Sequence, residues 1–297
     1  MKSKIGKLII ATLCLAACLF AFAGCSGGKE KDILVISRDG ASGTREAFDK
    51  AIGLNKKVDG VYVPVDGYVP DMELAGTAEV MTTVASNVNA IGYISLGSVN
   101  DTIKALKLDG IEPTAENVNN GSYGIARPFV LFTKTGAELS LLAQEFIKYS
   151  KSSQAQEIIS KKGFIPLTEN QNAEKYVKND NLVVSSSDRL ACGGSTSVQS
   201  CFKALIDGFK GIYGDNVINA ITYTGSGSSE GISGTKDGVY TIGAASKAVD
   251  DVELDEYTLC NDGVAVIVNK SCSLVNVTKE QVRKIFMKEI TKFSMIA

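Results

Sequence analysis

Three stretches of the chain concentrate hydroxyl groups and glycine where a short apolar run ends. Ser37-Arg38-Asp39-Gly40-Ala41-Ser42-Gly43-Thr44-Arg45 follows the run Ile33–Ser37 and precedes a helix expected from Glu46. Gly193-Gly194-Ser195-Thr196-Ser197 also follows a strand and opens a helix expected from Thr196. Thr224-Gly225-Ser226-Gly227-Ser228-Ser229-Glu230-Gly231 follows the run Ile218–Tyr223. A helix N-terminus offers unpaired N–H donors and partial positive charge, which suits an oxyanion. Glycine lets the backbone come close, and Ser and Thr hydroxyls add neutral donors. Taken singly, each stretch is equally accounted for by the preference of Ser, Thr and Gly for caps and turns.

Other chemistries fail on residue type or spacing. None of the three stretches fits the P-loop pattern, and Gly225-x-Gly227-x-x-x-Gly231 misses the dinucleotide fingerprint by one residue. The 297 residues contain no His, which removes Ser-His-Asp and Cys-His pairs, His-ligated zinc and an imidazole base. Seven cysteines form no CxxC pair, so a structural zinc site is not expected. No motif supports a serine nucleophile with a lysine base, and Asp250-Asp251 reads as solvated surface. A formal charge of −2 gives no pull toward nucleic acid, and 44% hydrophobic with 22% charged residues fits a globular protein with a real core.

The first 24 residues read as an export leader. Lys2, Lys4 and Lys7 precede an uncharged apolar stretch from Leu8 to Phe22, shorter than a comfortable span of about 20 residues. Phe22-Ala23-Gly24-Cys25 then resembles a bacterial lipobox, and the polar residues up to 32 a tether. Acyl chains on Cys25 would hold the protein at a membrane, each buried CH₂ contributing about 0.8 kcal/mol. Removing the leader leaves 28 basic against 33 acidic residues, a formal −5. Four further cysteines remain: Cys192, Cys201, Cys260 and Cys272. Cys192 with Cys201 is the more feasible local disulfide, because an extended run Asp262–Asn269 would separate Cys260 from Cys272; free buried thiols are the alternative.

Positioning the three stretches requires the strands and helices around them. Apolar strands alternate with amphipathic helices, the mark of an α/β protein. The expected strands are Ile33–Ser37, Ala90–Ser95, Phe129–Thr133, Leu182–Ser186, Ile218–Tyr223, Tyr240–Ala244 and Gly263–Val268. Helices are expected over Thr196–Phe209 and Leu139–Tyr149, and from the capping-box patterns Ser153–Gln156 and Thr278–Gln281. Gly163 should close the helix opened at Ser153. The polar run Thr168–Asp180 reads as a linker between two halves.

Together these residues carry a family resemblance. SRDGASGTREAF (Ser37–Phe48), GGSTSV (Gly193–Val198) and TGSGSSEGI (Thr224–Ile232) resemble the anion loops of the phosphate-binding proteins of phosphate ABC importers. YTIGAASKAV (Tyr240–Val249), NDGVAVIVNK (Asn261–Lys270), VTKEQVRKIFMKEIT (Val277–Thr291), NAIGYISLGSV (Asn89–Val99), ARPFVLFTKTG (Ala126–Gly136) and GFIPL (Gly163–Leu167) resemble its other landmarks. Their order differs from the family's usual one. Residues 33–167 correspond to its second half and 182–291 to its first, as in a circular permutation cut between the IFMKEIT helix and the ILVISRD strand. The run 168–181 would join the usual termini.

The resemblance implies a two-lobed, type II periplasmic-binding-protein-like α/β fold, each lobe a mixed sheet flanked by helices. One lobe would hold residues 33–126 plus 265–297, the other 128–263. It implies a lipid-anchored, extracytoplasmic binder that delivers inorganic phosphate to permease subunits of an ABC importer. A phosphate sensor, or a binder of another tetrahedral oxyanion, is the alternative. No catalytic residue, metal or cofactor is implied. By motif position Arg38, Ser42, Gly43 and Thr44 would bind phosphate from one side, and Thr196, Ser197, Ser228 and Ser246 from the other. Some members have Asp where Ser246 stands, and many have an acid two residues after the arginine, where this chain has Gly40. Asp39 is then the best candidate to accept the ligand's proton.

Overall fold

A strand that is followed by a helix returns parallel to its neighbour, because only a crossover connection spans the distance. This rule builds most of the sheet. The protein is described from a computed structural model covering residues 30–58, 61–167, 170 and 172–296; the expected leader and Cys25 lie outside these. The elements begin with β1 (Leu34–Arg38), α1 (Gly43–Ile52), the hairpin β2 (Asn55–Val58) and β3 (Val61–Pro64), β4 (Met72–Leu74), α2 (Thr77–Ser86) and β5 (Ala90–Ser95). Short β6 (Ile103–Ala105), β7 (Lys107–Leu108) and α3 (Ala115–Asn119) lead into the long β8 (Ala126–Lys134), α4 (Leu141–Ser150) and α5 (Ser153–Lys161). Then come β9 (Leu190–Gly194), α6 (Gln199–Tyr213), α7 (Asn216–Ala220), β10 (Ile221–Gly225), α8 (Ser228–Lys236) and β11 (Ile242–Ala245). The chain finishes with the 16-residue β12 (Leu254–Asn269), β13 (Asn276–Val277) and α9 (Lys279–Phe286).

The main sheet runs β10-β9-β11-β8-β12-β5-β1-β4. It is two copies of one arrangement. β10, β9 and β11 are parallel, with β8 antiparallel on the inner side. β4, β1 and β5 are likewise parallel, with β12 antiparallel on theirs. β8 and β12 pair along their length and cross between the two halves. Each half has its own apolar core. Phe129, Phe146, Phe202, Leu205 and Phe209 lie in one; Val35, Phe48, Tyr93, Val266 and Phe286 lie in the other. Successive residues of β12 alternate between faces, so Val264, Val266 and Val268 enter one cluster and Ala265 and Ile267 another. Covered on both faces, that strand reads as an unbroken apolar run.

The α/β architecture agrees with the sequence expectation, and several boundaries do not. Leu182–Ser186 is not a strand: Asp188 accepts from the Ser185 amide at 2.8 Å and turns the chain, and the strand starts at Leu190. Ile218 lies in α7, and strand pairing begins at Ile221. Gln156 is not the partner of a Ser153 capping box. Its amide is buried, donating to the Leu259 carbonyl at 3.1 Å and accepting from the Leu167 amide at 2.9 Å. Ser152 caps that helix instead. The Thr278–Gln281 box is present in both directions, at 3.1 and 2.9 Å. The Cys192–Cys201 pairing is not formed; all four cysteines are free, and the Cys201 thiol interacts with that of Cys260.

The described part of the expected linker is not a loose strap. Tyr176 is buried, and its hydroxyl lies 2.6 Å from Glu145 Oε2 and from the Tyr213 hydroxyl. Asn179 adds a bond to Glu145 Oε1 at 2.8 Å. These polar contacts tie the run onto α4 and α6.

Candidate anion-binding site

The strand ends and helix starts of the two halves meet midway along β12, because the two parallel sets run in opposite senses and are offset along it. β5 ends at Ser95 opposite Val264, and β11 ends at Ala245, opposite Val130 of β8, which lies opposite Thr258. Arg38 is the last residue of β1, and Ser42 is the N-cap of α1, its oxygen accepting from the Thr44 and Arg45 amides at 3.2 and 3.4 Å. Gly43 and Thr44 form the first turn of α1. Thr196 and Ser197 lie just ahead of α6, Ser228 begins α8, and Ser246 follows β11. Thr77, which the sequence reading did not single out, begins α2. Four helix N-termini from both halves therefore share this region.

The side chains meet within hydrogen-bonding distance across the halves. Arg38, 1% exposed, donates through Nη1 to Thr77 Oγ1 at 3.3 Å and through Nη2 to Thr196 Oγ1 at 3.0 Å. Its Nε donates to the Leu74 carbonyl at 3.1 Å, and Nη2 also reaches the Ala75 carbonyl. Thr44 Oγ1 and Ser197 Oγ are 2.9 Å apart, and Thr77 Oγ1 lies 3.3 Å from Ser197 Oγ. Ser228 and Ser246 hydroxyls are 3.3 Å apart, and the Ser246 amide donates to Ser228 Oγ at 3.1 Å. A Cβ at Gly43 would stand 2.9 Å from both of those hydroxyls, so only glycine fits there without displacing them. All eight residues expected from the sequence are thus gathered in one region.

Burial shapes the electrostatics. Desolvation pushes the Arg38 pKa down to about 10, with the nearby Arg127 adding to the fall. Asp39, beside it, has its carboxyl pushed up, chiefly by desolvation and against the pull of Arg38. Its Oδ1 is buried without a hydrogen-bond partner. Beneath Arg38, the Ser37 hydroxyl lies 2.9 Å from the Tyr68 hydroxyl and 2.8 Å from that of Tyr93. The Arg38 amide donates to the Tyr93 hydroxyl at 3.1 Å, which fixes the strand end. Contacts at the rim also span the halves: Lys247 pairs with Glu46 at 2.8 Å, and the Ser229 amide donates to the Ala41 carbonyl.

Comparison with known proteins bears directly on this arrangement. A sequence model of the PBP superfamily domain matches residues 7–154 and 181–295. Phosphate-binding protein PstS 2 of Streptococcus agalactiae is 34% identical over 283 residues, which cover 92% of each chain. Its namesake in Streptococcus pneumoniae is 32% identical over 286 residues, covering 95% of this chain and 94% of its own. The crystal structure of a phosphate-binding protein of a phosphate ABC transporter from S. pneumoniae matches with a TM-score of 0.65 and 31% identity, covering 90% of this chain and 100% of that one. The chain belongs to the phosphate-binding protein family of the PBP superfamily.

Members of this phosphate-binding protein family are binding proteins, not enzymes. In this member the hydroxyl-rich loops are legible because their residue types are unusual side by side. Thr77 is less so: Gly76-Thr77-Ala78-Glu79 is an ordinary-looking helix start, with Glu79 accepting from the Gly76 amide at 3.0 Å. Arg127 and Asp262 stand in the sequence only as parts of landmarks, and they form an ion pair at 3.0 Å with both side chains almost wholly buried. A lone Arg before Pro128, and an Asp in an apolar strand, give no local sign that they pair across two strands.

Proposed function

We propose that this protein captures inorganic phosphate between two lobes, residues 33–126 with 265–297 and residues 128–263, and delivers it to an ABC importer. The observation that carries this reading is the meeting, at one buried point, of Arg38 with hydroxyls and helix N-termini from both halves of the sheet. Arg38 supplies charge-assisted bonds, while hydroxyls and amide groups satisfy the remaining oxygens. Arg38, Ser42, Gly43 and Thr44 act from one lobe; Thr196, Ser197, Ser228 and Ser246 act from the other. Thr77 joins the first group. Calorimetric titration of the full chain in detergent with phosphate should give a dissociation constant in the micromolar range or below. No binding below millimolar would overturn the proposal.

Phosphate differs from sulfate by the proton it carries, and a carboxylate acceptor tells the two apart. With serine at position 246, Asp39 fills that role in our reading: its Oδ1 is buried and free of other partners. Sulfate in the same titration should bind at least about tenfold more weakly, the value of one well-placed polar contact. Equal affinity would favour a general tetrahedral-oxyanion binder.

We further propose that Cys25 carries the lipid that holds the protein on the extracytoplasmic face of the cell membrane, near its permease. The support is the leader pattern ending Ala23-Gly24-Cys25 and the polar residues after it. Among the described residues no helix is long and apolar enough to cross a membrane. Cys25→Ser should move the protein from the membrane fraction to the medium; retention in the membrane would refute lipid anchoring.

The landmark order is that of a circular permutation. Support comes from the sheet: both halves repeat the same three-parallel-plus-one arrangement, so a chain entering at either half meets the same neighbours in the same order. The Ile33 amide donates to the Thr291 carbonyl at 2.7 Å, which puts the two ends of the cut side by side.

A further inference from the structure

Arg127 lies on β8, against Ser246 and outside the set of residues proposed to touch phosphate. Its side chain is 2% exposed, and its Nε and Nη2 lie 3.3 and 3.0 Å from Asp262 Oδ2 on the paired strand β12. The other Asp262 oxygen accepts from the Ser95 hydroxyl at 2.9 Å and the Gly97 amide at 3.5 Å. That leaves Nη1 of Arg127, which points to Ser246 Oγ at 3.3 Å. A serine oxygen that accepts from a guanidinium must turn its own proton elsewhere. Ser228 is polarised the same way, because its oxygen accepts from the Ser246 amide at 3.1 Å. On the opposite side Arg38 does this to Thr77 and Thr196. None of these hydroxyl protons is spent on the group that fixes its oxygen; Ser228 and Ser246 share one between them at 3.3 Å, and an oxyanion that replaces this contact can accept from both.

We propose that Arg127 is a positioning residue for the bound oxyanion: acting through Ser246, it makes this wall a donor surface and sets a second cation behind it. Asp262 offsets that charge only in part, since the carboxylate sits on the far side of the guanidinium from Ser246. The ligand oxygens facing Ser228 and Ser246 are then the unprotonated ones. The proton of phosphate is directed away from both arginines, toward the Asp39 carboxylate. The proposal rests on the phosphate reading.

Arg127 also pins β8 to β12, so its loss alone would leave a buried carboxylate unpaired and endanger folding. Four variants separate the two roles. Arg127→Gln/Asp262→Asn replaces the ion pair by an amide pair; its phosphate affinity should fall by about tenfold or more, as for loss of a hydrogen bond to a charged group. Ser246→Ala should weaken binding as well, and adding it to the double variant should cost much less than the two losses combined, because both act on one contact. Asp262→Asn alone should lower the melting temperature yet tighten phosphate binding, since Arg127 keeps its charge and loses its counter-ion. A purely structural Arg127 predicts unchanged affinity in the double variant, and a lower melting temperature without tighter binding in Asp262→Asn; either result overturns the proposal. If the double variant does not fold, the sign of the Asp262→Asn effect decides. Failure of the unaltered protein to bind phosphate would instead overturn the reading beneath it.

Discussion

At Arg38 burial works against the charge that an anion needs. The guanidinium is 1% exposed and its pKa falls to about 10, with desolvation the largest cause, yet it contacts carbonyls and hydroxyls rather than a carboxylate. Such a cation is held ready for an anionic partner. Arg38→Gln should therefore weaken phosphate binding by about thirtyfold or more, the range for truncating a buried hydrogen-bonded charge. Its melting temperature without phosphate should stay level or rise, since a desolvated charge is removed; titration and thermal melts check both. Residues such as Arg38 and Thr44 could be read from the sequence because Ser-Gly-Thr beside an arginine is a compact signal. Thr77 could not, since its partners Thr196 and Arg38 are 119 and 39 positions away.

Helix starts carry the site at the scale of elements. α1, α2, α6 and α8 each direct a first turn at the same region, where their partial positive charges add. The close approach of α1 to the loops of the other half depends on Gly43, whose missing side chain leaves room for Ser228 and Ser246. Gly43→Ala should push those hydroxyls aside and weaken phosphate binding by about tenfold or more, as expected for disturbing one or two donor contacts. The fold itself should survive, because the alanine meets two hydroxyl oxygens and needs only a small shift of the Ser246 backbone, whose carbonyl carbon would stand at 3.0 Å. A titration alongside circular dichroism tests this, and unchanged affinity would show that α1 does not approach so closely in the bound protein. The helix at Ser228 illustrates a limit of sequence reading. SSEGISGTK has little apolar periodicity, so α8 is held by the groups it packs on: Gly231 meets the Ala244 carbonyl and Gly194 too closely for any side chain.

For the whole molecule, the twofold repeat of the sheet makes chain order a secondary matter. A rearranged chain running from Thr168 to Ala297, then through a short Gly-Ser joint from Ile33 to Leu167, should keep almost all of the same contacts. Loop-closure entropy changes slowly with length, so its stability should differ by about 1 kcal/mol, with phosphate affinity retained. A rearranged chain that fails to fold or bind would contradict the permutation. The sequence by itself determined the α/β class, the hydroxyl-rich anion loops and the exclusion of histidine chemistry, because these depend on residue type and short-range spacing. It could not reveal that Tyr176 anchors the joining run, that Cys201 meets Cys260 rather than Cys192, or that Arg127 and Asp262 pair behind Ser246. Those were decided by strand register and helix packing, which bring residues together across separations of 31 to 135 positions and leave no local trace.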